Sequence, residues 1–235
     1  MRLLHDRPRV ALAVYAHPDD ADVAAGGTLA RWSAHGCEVH LVVVCQGDKG
    51  AHDSHEGGER LVERRRGEVE RAAKHLGASS VTMWDVPDGE VSNDLSTRER
   101  LVEVVRRWRP DVVLGPDPSA VFFGGVYVNH RDHRETGWAL LDAVAPAAAM
   151  PLYFPETGPA HAVRYLLLSG THEPDVAVDI SSSIEAKIAA VLEHRSQMGE
   201  ESAEISEVVK ARAQQGGRDL GAGFIETFRR VQLAE

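Results

Sequence analysis

Cysteine is scarce in this chain: two occur in 235 residues, Cys37 and Cys45. Neither has a second cysteine or a histidine at the short spacing that a thiolate metal site uses, and a reducing cytoplasm is the expected setting. A basic excess is lacking too. The 26 Lys and Arg stand against 36 Asp and Glu, a formal net charge of −10, so the surface field repels phosphate polyanions and anionic lipid. Nucleic acid and membrane are therefore poor partners, and the one basic cluster, Arg64-Arg65-Arg66, is interleaved with acids and reads as the solvated face of a helix. Long hydrophobic runs are missing as well: Val10 to Ala16 is too short to span a bilayer and passes into a charged segment instead of a small-residue cleavage site. With no linker-like stretch and no internal repeat, a chain that is 43% hydrophobic and 26% charged fits one domain over residues 1–235.

What the chain does have is a strand and helix alternation. Val10 to Tyr15 is a continuous apolar run, the pattern of a strand covered on both faces of a parallel sheet. A helical stretch holding Leu29, Ala30 and Trp32 follows, stopped by Gly36, and then a second apolar run, Val39 to Val44. Beyond the polar loop Cys45 to Gly58 the pattern predicts a helix from about Glu59 to Leu76, closed by Gly77, and a third strand at Val81 to Trp84. Ser96 with Glu99 has the spacing of a capping box for a helix through Trp108, and Pro110 separates it from a fourth strand, Asp111 to Leu114. A helix with Trp138, Leu140, Leu141 and Val144, strands at Val163 to Leu168 and Val176 to Val178, and a helix from Ile184 to about Gln197, capped by Ser182 with Glu185, complete the pattern. The expected fold is α/β: a Rossmann-like three-layer sandwich around a largely parallel central sheet.

In such sheets reactive groups gather at the carboxyl ends of the strands. His17-Pro18-Asp19-Asp20 stands at that end of the first strand, and His130-Arg131-Asp132-His133 follows the fourth strand and its loop. A hydrolytic zinc takes three nitrogen or carboxylate ligands and leaves a fourth position for water. His17, Asp20 and His133 supply that set, and Asp19 is by position the carboxylate left to take the water's proton. The same donor types accept Fe2+, Co2+ or Mn2+. A dinucleotide is disfavoured at this turn, because it carries two carboxylates where a G-x-G-x-x-G would be needed; Gly26-Gly27 reads instead as room for close helix packing.

With both clusters placed, the chain resembles the PIG-L/LmbE-like deacetylases, which include sugar deacetylases of mycothiol and glycopeptide-antibiotic pathways. The resemblance rests on Ala16-His17-Pro18-Asp19-Asp20, Gly26-Gly27-Thr28-Leu29-Ala30, Pro87-Asp88-Gly89, His130-Arg131-Asp132-His133 and His194-Arg195-Ser196-Gln197, in family order. It implies zinc on His17, Asp20 and His133, Asp19 as general base, and His130 as the group that steadies the tetrahedral intermediate and protonates the leaving amine. It also implies that Asp132 orients and tunes His130. Ala21 stands where many members have Glu, and Arg131 where they have Pro, departures that bear on local shape and substrate range.

The expected reaction is hydrolysis of the N-acetyl group of an N-acetylglucosamine-type sugar or conjugate. The alternatives are a metal hydrolase of another amide or ester, and a non-catalytic sugar- or nucleotide-binding module. Tyr127, three residues before His130, is a candidate oxyanion donor. Arg65 resembles an arginine that family members aim at substrate, and Asp48 or Lys49 is placed to meet substrate hydroxyls, with a plain surface turn as the competing reading. His52 and His55 imitate a ligand pair in spacing but read as part of a solvated lid, His172 reads as a lone loop histidine with lining of the cleft as the lesser reading, and Asp88 as a turn residue with substrate contact as the lesser reading. His5, His35, His40, His75, His161 and His194 show no partner pattern.

Overall fold

A computed structural model describes residues 1–51, 58–199 and 202–234. Its strands are β1 Arg2–Leu3, β2 Val10–Tyr15, β3 Glu38–Cys45, β4 Ser80–Val86, β5 Val112–Pro116, β6 Phe122–Phe123, β7 Tyr127–Val128, β8 Tyr165–Ser169, β9 Val176–Asp179 and β10 Ile225–Gln232. The helices are α1 Asp20–Ala34, α2 Glu59–His75, α3 Leu95–Trp108, α4 Arg131–Val144, α5 Ile184–Glu193, α6 Arg195–Met198 and α7 Ser202–Gln214. Eight strands form one sheet in the order β1-β9-β10-β8-β5-β2-β3-β4. It is parallel except at β10, which runs antiparallel to both β8 and β9.

Alternation along β2 explains the layers. Ala11, Ala13 and Tyr15 face one side and join a core with Ala25 and Leu29 of α1 and Ile188 of α5. Leu12 and Val14 face the other and pack with Leu101 and Val105 of α3 and Leu140 of α4. Both faces of the strand are therefore covered, which is why its sequence is apolar throughout. The expected Rossmann-like α/β sandwich is the fold observed. No helix among the described residues is long and apolar enough to cross a membrane.

The Gly26-Gly27 pair does serve close packing: a Cβ on Gly27 would lie 2.6 Å from Ile180 Cδ1. Two caps differ from expectation. Helix α3 begins one residue before Ser96, so Asp94 is its N-cap and its carboxylate accepts from the Thr97 N–H at 2.8 Å. Helix α5 is preceded by Ser183, whose hydroxyl donates to the Gly27 carbonyl at 2.7 Å instead of capping the helix. The helix expected from Ile184 to about Gln197 is broken at His194 into α5 and α6; the short strands β1, β6 and β7, the C-terminal strand β10 and helix α7 were not expected, and of these β10 is the largest change, since it divides the parallel sheet.

Candidate metal centre and cavity

Two chain turns build the site. At the end of β2 the backbone folds so that the Asp20 carboxylate accepts from the His17 N–H at 2.7 Å, which points both side chains one way before α1 begins. At the start of α4 His130 is the N-cap, its Nδ1 accepting from the Asp132 N–H at 3.2 Å, and this sets Asp132 and His133 in the first turn. Strands β2 and β5 are neighbours in parallel register, so the two turns emerge at the same rim.

Three ligand-type atoms converge there. His17 Nδ1 lies 3.1 Å from His133 Nε2, His133 Nε2 lies 3.2 Å from Asp20 Oδ2, and His17 Nδ1 lies 3.5 Å from Asp20 Oδ2. A tetrahedral ion with bonds of about 2.1 Å keeps its ligand atoms about 3.4 Å apart, so the spacing fits one cation. The opposite ring nitrogens are engaged: His17 Nε2 faces Asp132 Oδ2 at 3.2 Å, and His133 Nδ1 faces Asn129 Oδ1 at 2.9 Å. An acceptor at each outer nitrogen favours the tautomer whose inner nitrogen carries the lone pair, which is how outer partners prepare imidazoles for a metal. Asn129 is itself buried and anchored through Nδ2 on the Ala120 carbonyl at 2.8 Å.

The electrostatics point the same way. Burial disfavours charge on His17, yet Asp132 and Asp20 outweigh it and hold the ring above its ordinary range. Burial likewise opposes ionisation of Asp20, but His133 and His17 hold it well below the usual carboxylate range. Asp132, pushed up by burial but pulled down more by His17 and the Gly89 N–H, sits at about 2. This point in the fold is built to hold positive charge. Two other groupings come near it, His17 with Cys45 and Asp88 and His17 with His130 and Asp132. In the first, burial raises the Cys45 thiol to about 11, the wrong direction for a thiolate ligand; in the second, Asp132 is already taken by His17 and two backbone N–H groups.

Around the trio opens a cavity of about 510 Å³, lined by His17, Asp19, Asp20, Arg65, His130 and His133 among others. Asp19 is held from one side by Arg65, whose Nη2 donates to Oδ1 at 3.0 Å. Arg65 is 2% exposed, so it is not on the solvated helix face expected for the Arg64-Arg65-Arg66 cluster; the helix turns it inward toward Asp19 and the Gly47 carbonyl. Asp132 is fully buried and stands 3.5 Å from His130 Nδ1 but closer to His17, so it faces both rings.

The remaining candidates divide. Lys49 and Tyr127 line the cavity. Lys49 Nζ also reaches the Asp88 carbonyl at 2.7 Å and Glu90 at 2.8 Å. Asp48 is turned away, its carboxylate accepting from the Asp88 N–H at 2.8 Å. Asp88 is more than a turn residue: it accepts from the Gly47 and Lys49 N–H groups and lines the cavity. His172 packs on Phe123 with ring centroids 4.8 Å apart and lines no described cavity. His52 and His55 lie outside the described residues.

Several residues of the site escaped the sequence reading. Asn129 had no motif to mark it. His194, for which the sequence offers no partner pattern, is buried with Nε2 2.8 Å from Asp22 Oδ2, in the same first turn of α1 as Asp20. Ser196 holds the buried Glu68 through Oγ at 2.6 Å, and Gln197 lines the cavity while donating to the Gly50 carbonyl at 3.0 Å. The His194 to Gln197 segment was visible as a motif, and its signal lacked only a partner to point to.

Fold and site together define a Rossmann-like α/β protein with a candidate metal centre at the carboxyl end of its sheet. The chain belongs to the PIG-L family, described as GlcNAc-PI de-N-acetylase, whose family model matches residues 12–144. It is 32% identical over 200 residues to a diacetylchitobiose deacetylase of Thermococcus kodakarensis, covering 83% of this chain and 73% of that protein. Its fold is similar to that of an inhibitor complex of the N,N'-diacetylchitobiose deacetylase of Pyrococcus horikoshii, with a TM-score of 0.86 and 29% identity, covering 96% of this chain and 84% of that one. It is also similar to GalB of Pseudomonas putida KT2440, a 4-carboxy-2-hydroxymuconate hydratase, with a TM-score of 0.75 and 26% identity over 97% of this chain and 98% of that one.

Proposed function

We propose that this chain is a zinc-dependent N-deacetylase that hydrolyses the acetamido group of an N-acetylglucosamine-type sugar or conjugate. The observation that carries the reading is one cavity holding both a convergent His17/Asp20/His133 trio and, beside it, a carboxylate that is not part of the trio. Family membership and the names of the relatives support the substrate class.

Zinc held by the trio would supply Lewis acidity, for the amide carbonyl and for the attacking water alike. Asp19 accepts the proton of that water, its carboxylate fixed in place by the Arg65 fork. His130, 47% exposed at the side chain and lining the cavity, donates a proton to the nitrogen that leaves as the free amine. Asp132 orients His17 and His130 together, and Tyr127 places a phenol at the cavity wall where the carbonyl oxygen gathers charge. The sum is one amide and one water giving one amine and one acetate. Arg65, Lys49 and Asp88 are the candidates for the sugar hydroxyls.

Metal-replete protein incubated with a panel of N-acetylated sugars should release free amine and acetate, read by mass spectrometry. The same water activation would serve the hydratase chemistry named for GalB. A panel in which acetamido sugars stay intact while an unsaturated carboxylic acid gains the mass of water would replace the deacetylase reading with that one.

A further inference from the structure

A second cavity of about 310 Å³ borders the first and shares Asp20, Tyr127 and His133 with it. It contains neither Asp19 nor His130. Its walls are carbon: Val23 and Ala24 of α1, Pro116 of β5, and the rings of Phe123 and Tyr127, whose centroids lie 5.8 Å apart. At the floor the Tyr15 hydroxyl and the Ser169 hydroxyl satisfy each other at 3.0 Å. Arg212 of α7, which is exposed and makes no ion pair among the described residues, supplies the one cationic side chain of the lining, where Asp20 is the one acid.

The direction of the reaction assigns this space, and the assignment rests on the deacylase reading above. Besides its oxygen, a scissile amide carbon carries two substituents, the nitrogen and the acyl carbon, which diverge in different directions. The nitrogen faces His130, which lines the first cavity, so the sugar lies there and the acyl group is directed toward the second cavity, past the residues the two share. A methyl group is about the size of a water molecule, whose share of liquid volume is about 30 Å³, so an acetyl group leaves most of this space unfilled. We infer that the second cavity is an acyl subsite for chains of several carbons ending in a carboxylate, such as succinyl or glutaryl, with the apolar walls taking the methylenes and Arg212 pairing with the terminal anion. Hydrolysis then yields the free amino sugar and a dicarboxylic acid, with the same consumption of one water.

The probes are N-acetyl-, N-butyryl- and N-succinylglucosamine. Binding is measured by calorimetry on metal-loaded Asp19→Asn protein, in which turnover is slowed by loss of the general base, and kcat/KM is measured on the metal-loaded native chain. We expect N-succinylglucosamine to bind at least tenfold more tightly than the butyryl compound, Arg212→Ala to erase that preference, and Arg212→Lys to restore part of it. The succinyl to acetyl ratio of kcat/KM should fall at least tenfold in Arg212→Ala. Cleavage of the acetyl compound with no succinyl preference in binding or turnover overturns the subsite and leaves the deacetylase reading standing. Failure to cleave any of the three amides overturns the deacetylase reading and the subsite with it.

Discussion

Arg65 reaches Asp19 across 46 residues of sequence, Nη2 to Oδ1 at 3.0 Å, from a position 2% exposed in the middle of α2. The carboxylate assigned to proton transfer is thus held by a buried, forked cation instead of by its own loop. The guanidinium also reaches the Gly47 carbonyl, so the loop after β3 and the turn after β2 share one anchor.

Replacing that anchor should damage turnover without emptying the metal site. A positioned general base contributes about 10²–10⁴-fold, and Asp19→Ala is expected to lose that whole factor. Arg65→Ala should lose part of it, because Asp19 remains but its orientation is freed, and Arg65→Lys should fall between, since a single ammonium cannot replace a planar fork. Metal content by atomic absorption should stay near that of the native chain in all three. Metal lost along with activity in Asp19→Ala would mean that Asp19 is a ligand, and the roles of the two aspartates would be exchanged.

Outer partners of the two imidazoles should govern metal affinity. Asn129 Oδ1 holds His133 Nδ1 at 2.9 Å, and Asp132 Oδ2 holds His17 Nε2 at 3.2 Å. Loss of such a partner commonly weakens a site about 10–100-fold. Asn129→Ala and Asp132→Asn are each expected to weaken zinc binding by that order in competition with a chromophoric chelator, whereas His17→Ala should abolish it. Unchanged affinity in Asn129→Ala would show that the ring orientation is set by packing alone.

The trio was legible in the sequence because its members lie in two short clusters, each placed by a local pattern: an apolar strand that ends, then ligand-type residues. The strands from Val10 and from Val39 were legible for the same reason, since burial on both faces leaves a continuous apolar run. Strand β10 was not. It carries Glu226 between Ile225 and Thr227, which reads as a surface acid, yet Glu226 is 5% exposed. Its carboxylate accepts from the Gly27 and Thr28 N–H groups inside α1 and from Lys187 of α5, partners up to 199 residues away. A buried acid paired at that distance leaves no local trace. Asn129, and the burial of Arg65 against Asp19, escaped for the same reason, since both are decided by elements that only tertiary packing brings near.

Helix α4, which carries His133, lies against the end of β5 because Gly137 has no side chain there. A Cβ at Gly137 would stand 2.6 Å from the Pro116 carbonyl oxygen and 2.9 Å from Pro118 Cδ, contacts with backbone and a ring that do not yield cheaply. Gly67 of α2 is the contrasting case: a Cβ there meets only Arg71 Nη1, the far end of a flexible chain, at 3.3 Å. Alanine is intrinsically better than glycine in a helix by about 1 kcal/mol, so the same substitution should have opposite signs at the two positions. In urea unfolding Gly67→Ala is expected to stabilise by up to about 1 kcal/mol. Gly137→Ala should destabilise by about 1–3 kcal/mol, the ordinary cost of overpacking. Because the helix must move off the sheet one turn beyond His133, Gly137→Ala should also weaken zinc binding, which Gly67→Ala should leave alone. Equal and favourable effects at both glycines would show that α4 has slack against β5, and that the ligand geometry does not depend on this contact.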